Sequence, residues 1–340
     1  MSLQLIKEKA REKLAPLCRV CPECNGRVCS GQVPGVGGAG RGRSFQNNYD
    51  ELFKIKLEMS IIHNKLPQTT CNFFSRQLAA PIIAAPISGI ENNYGDKISE
   101  MEYARSIVQG CNQAGLVAMT GDGIGDLEFH SGIKAIIDEG GWGIPILKPF
   151  NKDLIYERIN QSENAGVPAI GMDIDGAGLI AMKLGLPPKS KKELREIVAA
   201  TKLPFIIKGI MTVRDAFIAI EAGAKAIVVS NHGGRVLDDT PGTAVILPEI
   251  AKAVKGKVIL LVDGGIRSGV DILKMLALGA DGVLIGRPLA IGVFGGGTKG
   301  VRAVADQLKD ELWQAMLMTG CGDLEEINDS IIYQQGVFRG

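Results

Sequence analysis

Histidine is scarce in this chain, with three in 340 residues, and aromatic residues make up only 5% of it. Neither sign of charge prevails: 38 Lys and Arg stand against 37 Asp and Glu, a net charge of +1. Bulk electrostatics therefore give no reason to expect nucleic acid or an anionic membrane as partner. No apolar run approaches the roughly 20 residues that span a bilayer. The N-terminal stretch SLQLIKEKAREKL is charged throughout and resembles an amphipathic helix, not a secretion signal. A cytoplasmic protein without a membrane partner is expected. Seven cysteines in such a chain argue against a disulfide framework.

Glycine, by contrast, is abundant at 44 residues and clusters at the ends of short apolar runs. Eight such runs occur, at 81–85, 116–119, 144–147, 169–174, 204–207, 226–229, 258–262 and 282–285. Each interval between them accommodates one helix. Continuous short apolar runs alternating with helical segments indicate a parallel sheet covered on its faces. The junctions repeat as well: Ala114-Gly115, Ala165-Gly166, Ala222-Gly223 and Leu278-Gly279 each pass from a helix end through glycine into a run. Eight such units predict a (β/α)₈ TIM barrel of the α/β class, with its active site at the C-terminal ends of the strands. The barrel is expected over 76–340. Residues 1–75 then form an extension holding a helix at 1–17, a Cys-rich segment and a Gly/Arg loop.

In that extension Cys18, Cys21, Cys24 and Cys29 fall within a dozen residues, a spacing that suits zinc or an iron–sulfur cluster. The segment Gly35–Gly40 matches the dinucleotide fingerprint letter by letter. It lacks the preceding strand and following helix that the motif requires, so it reads as a loop. Arg41 and Arg43 follow it and are expected within reach of an anion if the loop closes over a site.

Chemistry gathers where the runs stop. After 226–229 stand Ser230-Asn231-His232-Gly233-Gly234-Arg235: an imidazole able to take a proton near neutral pH and a guanidinium able to grip a carboxylate. Lys148 and Lys208 end the third and fifth runs. Asp173 and Asp175, two apart, are expected on one strand face at the mouth. Asp263-Gly264-Gly265-Ile266-Arg267 and Gly286-Arg287 follow the last two runs, where this fold usually cradles phosphate. The inventory suits a phosphorylated cofactor beside a small anionic substrate. It does not select FMN over another phosphorylated ligand.

Ser230–Asp238, Ile207-Lys208-Gly209, Asp263–Arg267, Ala277–Ala280, Ile285–Pro288 and Thr319-Gly320-Cys321 together resemble the FMN-dependent 2-hydroxy-acid dehydrogenases and oxidases, which include glycolate and lactate oxidases. The resemblance covers about 76–335. It implies oxidation of a small L-2-hydroxy acid to the 2-keto acid. His232 would be the base, Arg235 would hold the substrate carboxylate, Asp175 would support the imidazolium, and Lys208 would sit near the flavin N1–O2 edge. Asp263, Gly265, Arg267, Gly286 and Arg287 would bind the ribityl phosphate. Ala85, Pro86 and Ser88 would lie along the ring, with Lys148, Asp173 and Ser230 also on the cofactor. A homo-oligomer is implied, and the cysteine segment would point to an electron-acceptor protein.

Four positions depart from the family pattern: Lys148 replaces a glutamine, Phe150 a tyrosine and Asp173 a threonine, while Ala181 and Met182 stand near a missing second arginine. Lys148 and Asp173 are expected to pair, and Arg41, Arg43 or Tyr49 to replace lost substrate contacts. The alternatives are an FMN-dependent isomerase of the isopentenyl diphosphate isomerase type and a flavin-binding sensor with an altered site.

Overall fold

A computed structural model describes residues 1–32, 36–179 and 186–334. Gly35 of the fingerprint-like loop, and Ala181 and Met182, lie outside them. Eight parallel strands close into a barrel: β3 (Ile82–Ile87), β4 (Val117–Thr120), β5 (Ile144–Leu147), β6 (Ile170–Asp173), β7 (Phe205–Ile210), β8 (Ala226–Val229), β9 (Ile259–Val262) and β10 (Gly282–Ile285). These are the eight apolar runs, and β10 pairs with β3 to shut the ring. A hairpin of β1 (Cys71–Phe73) and β2 (Arg76–Leu78) precedes them.

Alternate side chains divide the core. Ile83, Val117, Met119, Ile146, Ile206, Val228, Leu261 and Leu284 fill the barrel, and Phe73 and Leu78 of the hairpin join them. The opposite faces, such as Ile82, Ala84, Leu260 and Val262, pack outward against the helices.

The helices between strands are α3 (Ile90–Tyr94), α4 (Glu100–Gln113), α5 (Asp126–Asp138), α6 (Lys152–Asn164), α7 (Lys191–Ala199), α8 (Val213–Glu221), α9 (Thr243–Val254) and α10 (Gly269–Ala277). Ser99, Ser190 and Ser268 open α4, α7 and α10 with reciprocal capping boxes, satisfying amides that would otherwise lack partners. The junction glycines 115, 166, 223 and 279 all take positive φ at helix ends, as their repetition predicted. α11 (Arg287–Thr319) follows β10, broken at Gly297.

In the extension, α1 (Leu3–Leu14) packs on α11, and α2 (Arg43–Lys54) lies against the loop after β8. α2 sets one wall of the site. Ser44 donates from its backbone to Asp238 (3.1 Å) and from its hydroxyl to the Leu237 carbonyl (2.9 Å). Asn48 and Asn231 exchange side-chain hydrogen bonds at 2.7 and 3.1 Å, fully buried. Glycine is needed at two of these contacts. A Cβ on Gly234 would fall 2.4 Å from the Phe45 backbone nitrogen, and one on Gly265 would fall 2.1 Å from the Asn48 carbonyl oxygen.

Candidate active site

Two adjacent cavities, about 110 and 400 Å³, lie at the C-terminal ends of the strands and share Pro86, His232 and Arg235. The smaller runs from the backbone of Ala85–Ile87 past Lys208 to the loops after β9 and β10. Lys208 lies within β7 in register with Asp173 at the end of β6, and its buried side chain reaches the cavity lining.

The centre is an ionic network. Asp173 accepts from Lys148 Nζ at 2.6 Å and from Lys208 Nζ at 3.2 Å, and lies 3.4 Å from His232 Nδ1. Burial alone would raise the Asp173 carboxyl, but His232, Lys148 and Lys208 outweigh it and hold it well below the usual carboxylate range. Asp175 takes the opposite course. Burial, and then the charge of Asp173, push it up to about 6. Burial works against the Lys208 ammonium, yet Asp173, Asp175 and Asp263 together hold it above the ordinary lysine range.

His232 Nδ1 also lies 3.2 Å from Asp175 Oδ1. The histidine backbone sits at φ +57, as do few residues other than glycine, and its amide is held by Ser230 Oγ at 3.1 Å. Such a conformation persists where the surroundings dictate it, commonly at functional sites. Ser230 in turn donates to Asp263 Oδ2 at 2.8 Å. The second oxygens of Asp175 and Asp263 are buried without a hydrogen-bond partner among the described side chains. Arg235 donates to Asn93 Oδ1 at 3.0 Å, and Asn93 is anchored on the Ser88 and Gly89 carbonyls.

The two carboxylates do meet at the histidine, but not for the expected reason. β6 ends at Asp173, and Ile174–Gly178 winds into a 3₁₀ turn, so Asp175 swings inward from the turn instead of sharing a strand face. Lys148 pairs with Asp173 as expected, while Ser88 and Lys148 line the larger cavity.

Arg267 and Arg287 flank the Phe45 ring, their guanidinium carbons 5.8 and 4.3 Å from its centroid. Gly264 and Gly265, both at positive φ, and Gly286 turn the backbone beside them. One cavity lining thus joins two arginines and glycine turns with Lys208 and residues 85–87, a donor set that fits a phosphate joined to a ring, as in FMN. The expected substitutes for the missing substrate arginine are not there. Arg41 pairs with Asp239 on the surface, Arg43 is exposed, and Tyr49 donates to Glu23 at 2.6 Å.

Sequence reasoning missed Phe45, Asn48 and Asn93, which come from outside the apolar runs. It also missed Asp122, which pairs with buried Arg158 and accepts from the Lys148 amide at 3.0 Å. The four cysteines near the N-terminus line a separate cavity behind Arg287 and are free thiols.

A family profile for FMN-dependent dehydrogenases matches residues 176–334. A 2-hydroxyacid oxidase of Dictyostelium discoideum is 47% identical over 152 residues, covering 45% of this chain and 39% of that protein. A peroxisomal (S)-2-hydroxyacid oxidase of Arabidopsis thaliana is 41% identical over 183 residues, covering 54% and 47%. The chain thus spans less than half the length of these relatives. An L-lactate oxidase of Lactobacillus jensenii matches more fully, 32% identical over 294 residues, 79% of this chain and 72% of that one. A crystal structure of mandelate oxidase with (S)-2-phenylpropionate superposes with a TM-score of 0.74 at 27% identity, over 95% of this chain and 96% of that one.

Proposed function

Since the chain belongs to the family of FMN-dependent dehydrogenases, we propose that it oxidises a small L-2-hydroxy acid to the 2-keto acid. The observation that carries this reading is His232 in contact with Asp175, with Arg235 and Lys208 on the same cavity wall. Bound FMN supplies a two-electron acceptor. Arg267, Arg287 and the backbone at Gly265 and Gly286 would hold its phosphate, Asp263 and Ser230 would brace that loop, and Lys208 would serve the ring end of the site. Ala85, Pro86, Ser88, Lys148 and Asp173 form the remaining wall.

Arg235, aimed by Asn93, grips the substrate carboxylate in a fork. The His232 ring nitrogen away from the carboxylates takes the substrate proton. A positioned base of this kind contributes about 10²–10⁴-fold. Asp173 and Asp175 then face the imidazolium and stabilise the charge it has gained. Asp175 is ionised above pH about 6, so this support weakens in acid. The buried carboxylates, lysines and arginine are fixed before the reaction and need no rearrangement as charge develops.

The substitutions at 148 and 173 give this site a charged pair where the family resemblance leads one to expect neutral groups, and Phe150 offers no hydroxyl. These differences support a substrate preference of its own within small 2-hydroxy acids. The proposal extends to a cytoplasmic homo-oligomer that passes electrons to an acceptor protein, with the barrel beginning at residue 76. No described helix is long and apolar enough to cross a membrane. A diphosphate isomerase is not favoured, because the chain's relatives are named as hydroxyacid oxidases.

Anaerobic absorption spectra test the reading. Flavin bands should bleach on adding L-lactate, glycolate or (S)-mandelate, and the His232→Ala variant should keep its flavin without bleaching. Bands that persist with a broad panel of hydroxy acids would overturn it.

A further inference from the structure

We propose that Cys18, Cys21, Cys24 and Cys29 ligate an iron–sulfur cluster of the four-iron class, seated directly behind the phosphate-binding arginines. The four residues come from one loop, yet they line a single cavity closed by Leu14, Val20, Ala290, Ile291 and Phe294. Partly buried thiols set against these apolar walls supply the soft ligands by which clusters are held. Three of them follow the two-residue spacing that bacterial clusters use.

Zinc bound at about 2.3 Å would draw tetrahedral sulfurs to about 3.8 Å apart, and no three of these sulfurs lie within 4.8 Å of one another. The set is not closed on a single ion, and the two-residue spacing of Cys18, Cys21 and Cys24 favours a cube of iron and sulfide, which spaces its thiolates more widely. The loop is also constrained where ligands would need it. Val20, buried between Cys18 and Cys21, is held at φ +46, a costly conformation for a β-branched residue. Its amide donates to Cys18 Sγ at 3.5 Å, the kind of contact that tunes a cluster.

Charge and placement agree. Four thiolates around a cluster leave it anionic, and Arg267 and Arg287 flank the Cys24 sulfur. Arg267 also donates to the Cys24 carbonyl at 3.2 Å. Gly26 of the loop seats on Phe45, leaving no room for a Cβ, and Phe45 is the ring that both arginines cover. Arg287 and Tyr94 line both this cavity and the smaller catalytic one. The loop is thus built against the cofactor end of the active site and shares its cations.

The test is metal and sulfide analysis of the full chain purified without air, followed by electron paramagnetic resonance after dithionite. Expected are about four iron and four acid-labile sulfide per chain and a fast-relaxing reduced-cluster signal. Cys21→Ala and Cys24→Ala should lose at least nine-tenths of the iron while retaining flavin. Zinc in place of iron, or iron absent even after anaerobic reconstitution with ferrous iron and sulfide, overturns the proposal. The wild-type analysis needs no variant to fold and no substrate, so it fails or stands separately from the hydroxy-acid reading.

Discussion

Lys148 and Asp173 are buried together at 2.6 Å, and a double-mutant cycle measures what each owes the other. In Asp173→Thr, Lys148 loses the one carboxylate within ion-pair distance of its ammonium among the described residues, and Lys208 and His232 lose a neighbour. Removing one partner of a buried pair costs about 3–5 kcal/mol. In Lys148→Gln, Asp173 keeps Lys208 at 3.2 Å, so the loss is nearer that of one charged hydrogen bond, about 1.5–3 kcal/mol. Additive behaviour would make the double variant worse than either single one. The structure predicts the reverse: removing Lys148 also removes the stranded charge, so Lys148→Gln restores about 1–3 kcal/mol in the Asp173→Thr background. A 340-residue chain shifts by about 1.4 °C per kcal/mol. Asp173→Thr should therefore melt about 4–7 °C below wild type, and the double variant should melt above Asp173→Thr. Differential scanning fluorimetry of all four proteins reads this directly. A double variant melting lower by the sum of the two single losses would refute the reasoning.

Two further perturbations probe separate parts of the fold. Burial pushes Glu100, which accepts from the Ile90 amide at 2.7 Å, up to about 7. The folded carboxyl keeps its proton there while the unfolded one releases it near 4.5, so stability falls as pH rises between those values and stays low above. Glu100→Gln should escape this, gaining up to about 3 kcal/mol on wild type between pH 4.5 and 8 in urea melts; a gap that stays flat with pH contradicts the assignment. Gly265→Ala should cut FMN affinity at least tenfold in fluorescence titration, because its methyl group displaces the Asn48 carbonyl and with it α2; unchanged affinity would show that α2 does not set the phosphate loop.

The barrel was legible because the strands are short, largely apolar runs, most with glycine close to one end, a pattern that needs no distant partner to interpret. The residues at strand ends were legible for the same reason, since a run that stops in charge must stop at water or at a site. Asp175 was reached through the wrong local geometry, because a strand and a 3₁₀ turn differ over so few residues. The wall formed by Phe45, Asn48 and Asn93 was not legible. These side chains act through partners far along the chain, and nothing local in their own segments marks them. Arg41 and Arg43 misled for the complementary reason: a basic loop near glycine has the composition of an anion contact, while Asp239 determines where Arg41 goes.

The attachment of α2 also fixes an order of events at the ribosome. Its bonds to the loop after β8 and to the start of α9 join residues 183 to 196 positions apart. At about 5–20 residues per second, some 10–40 s pass between synthesis of α2 and synthesis of its partners. Throughout that interval the helix and the cysteine loop ahead of it wait with Phe45 and Leu52 unburied, and the cleft they will wall stays open. This segment, made before the barrel, is thus among the last to find its place, and the nascent chain carries an exposed apolar face that a chaperone can hold until the barrel closes.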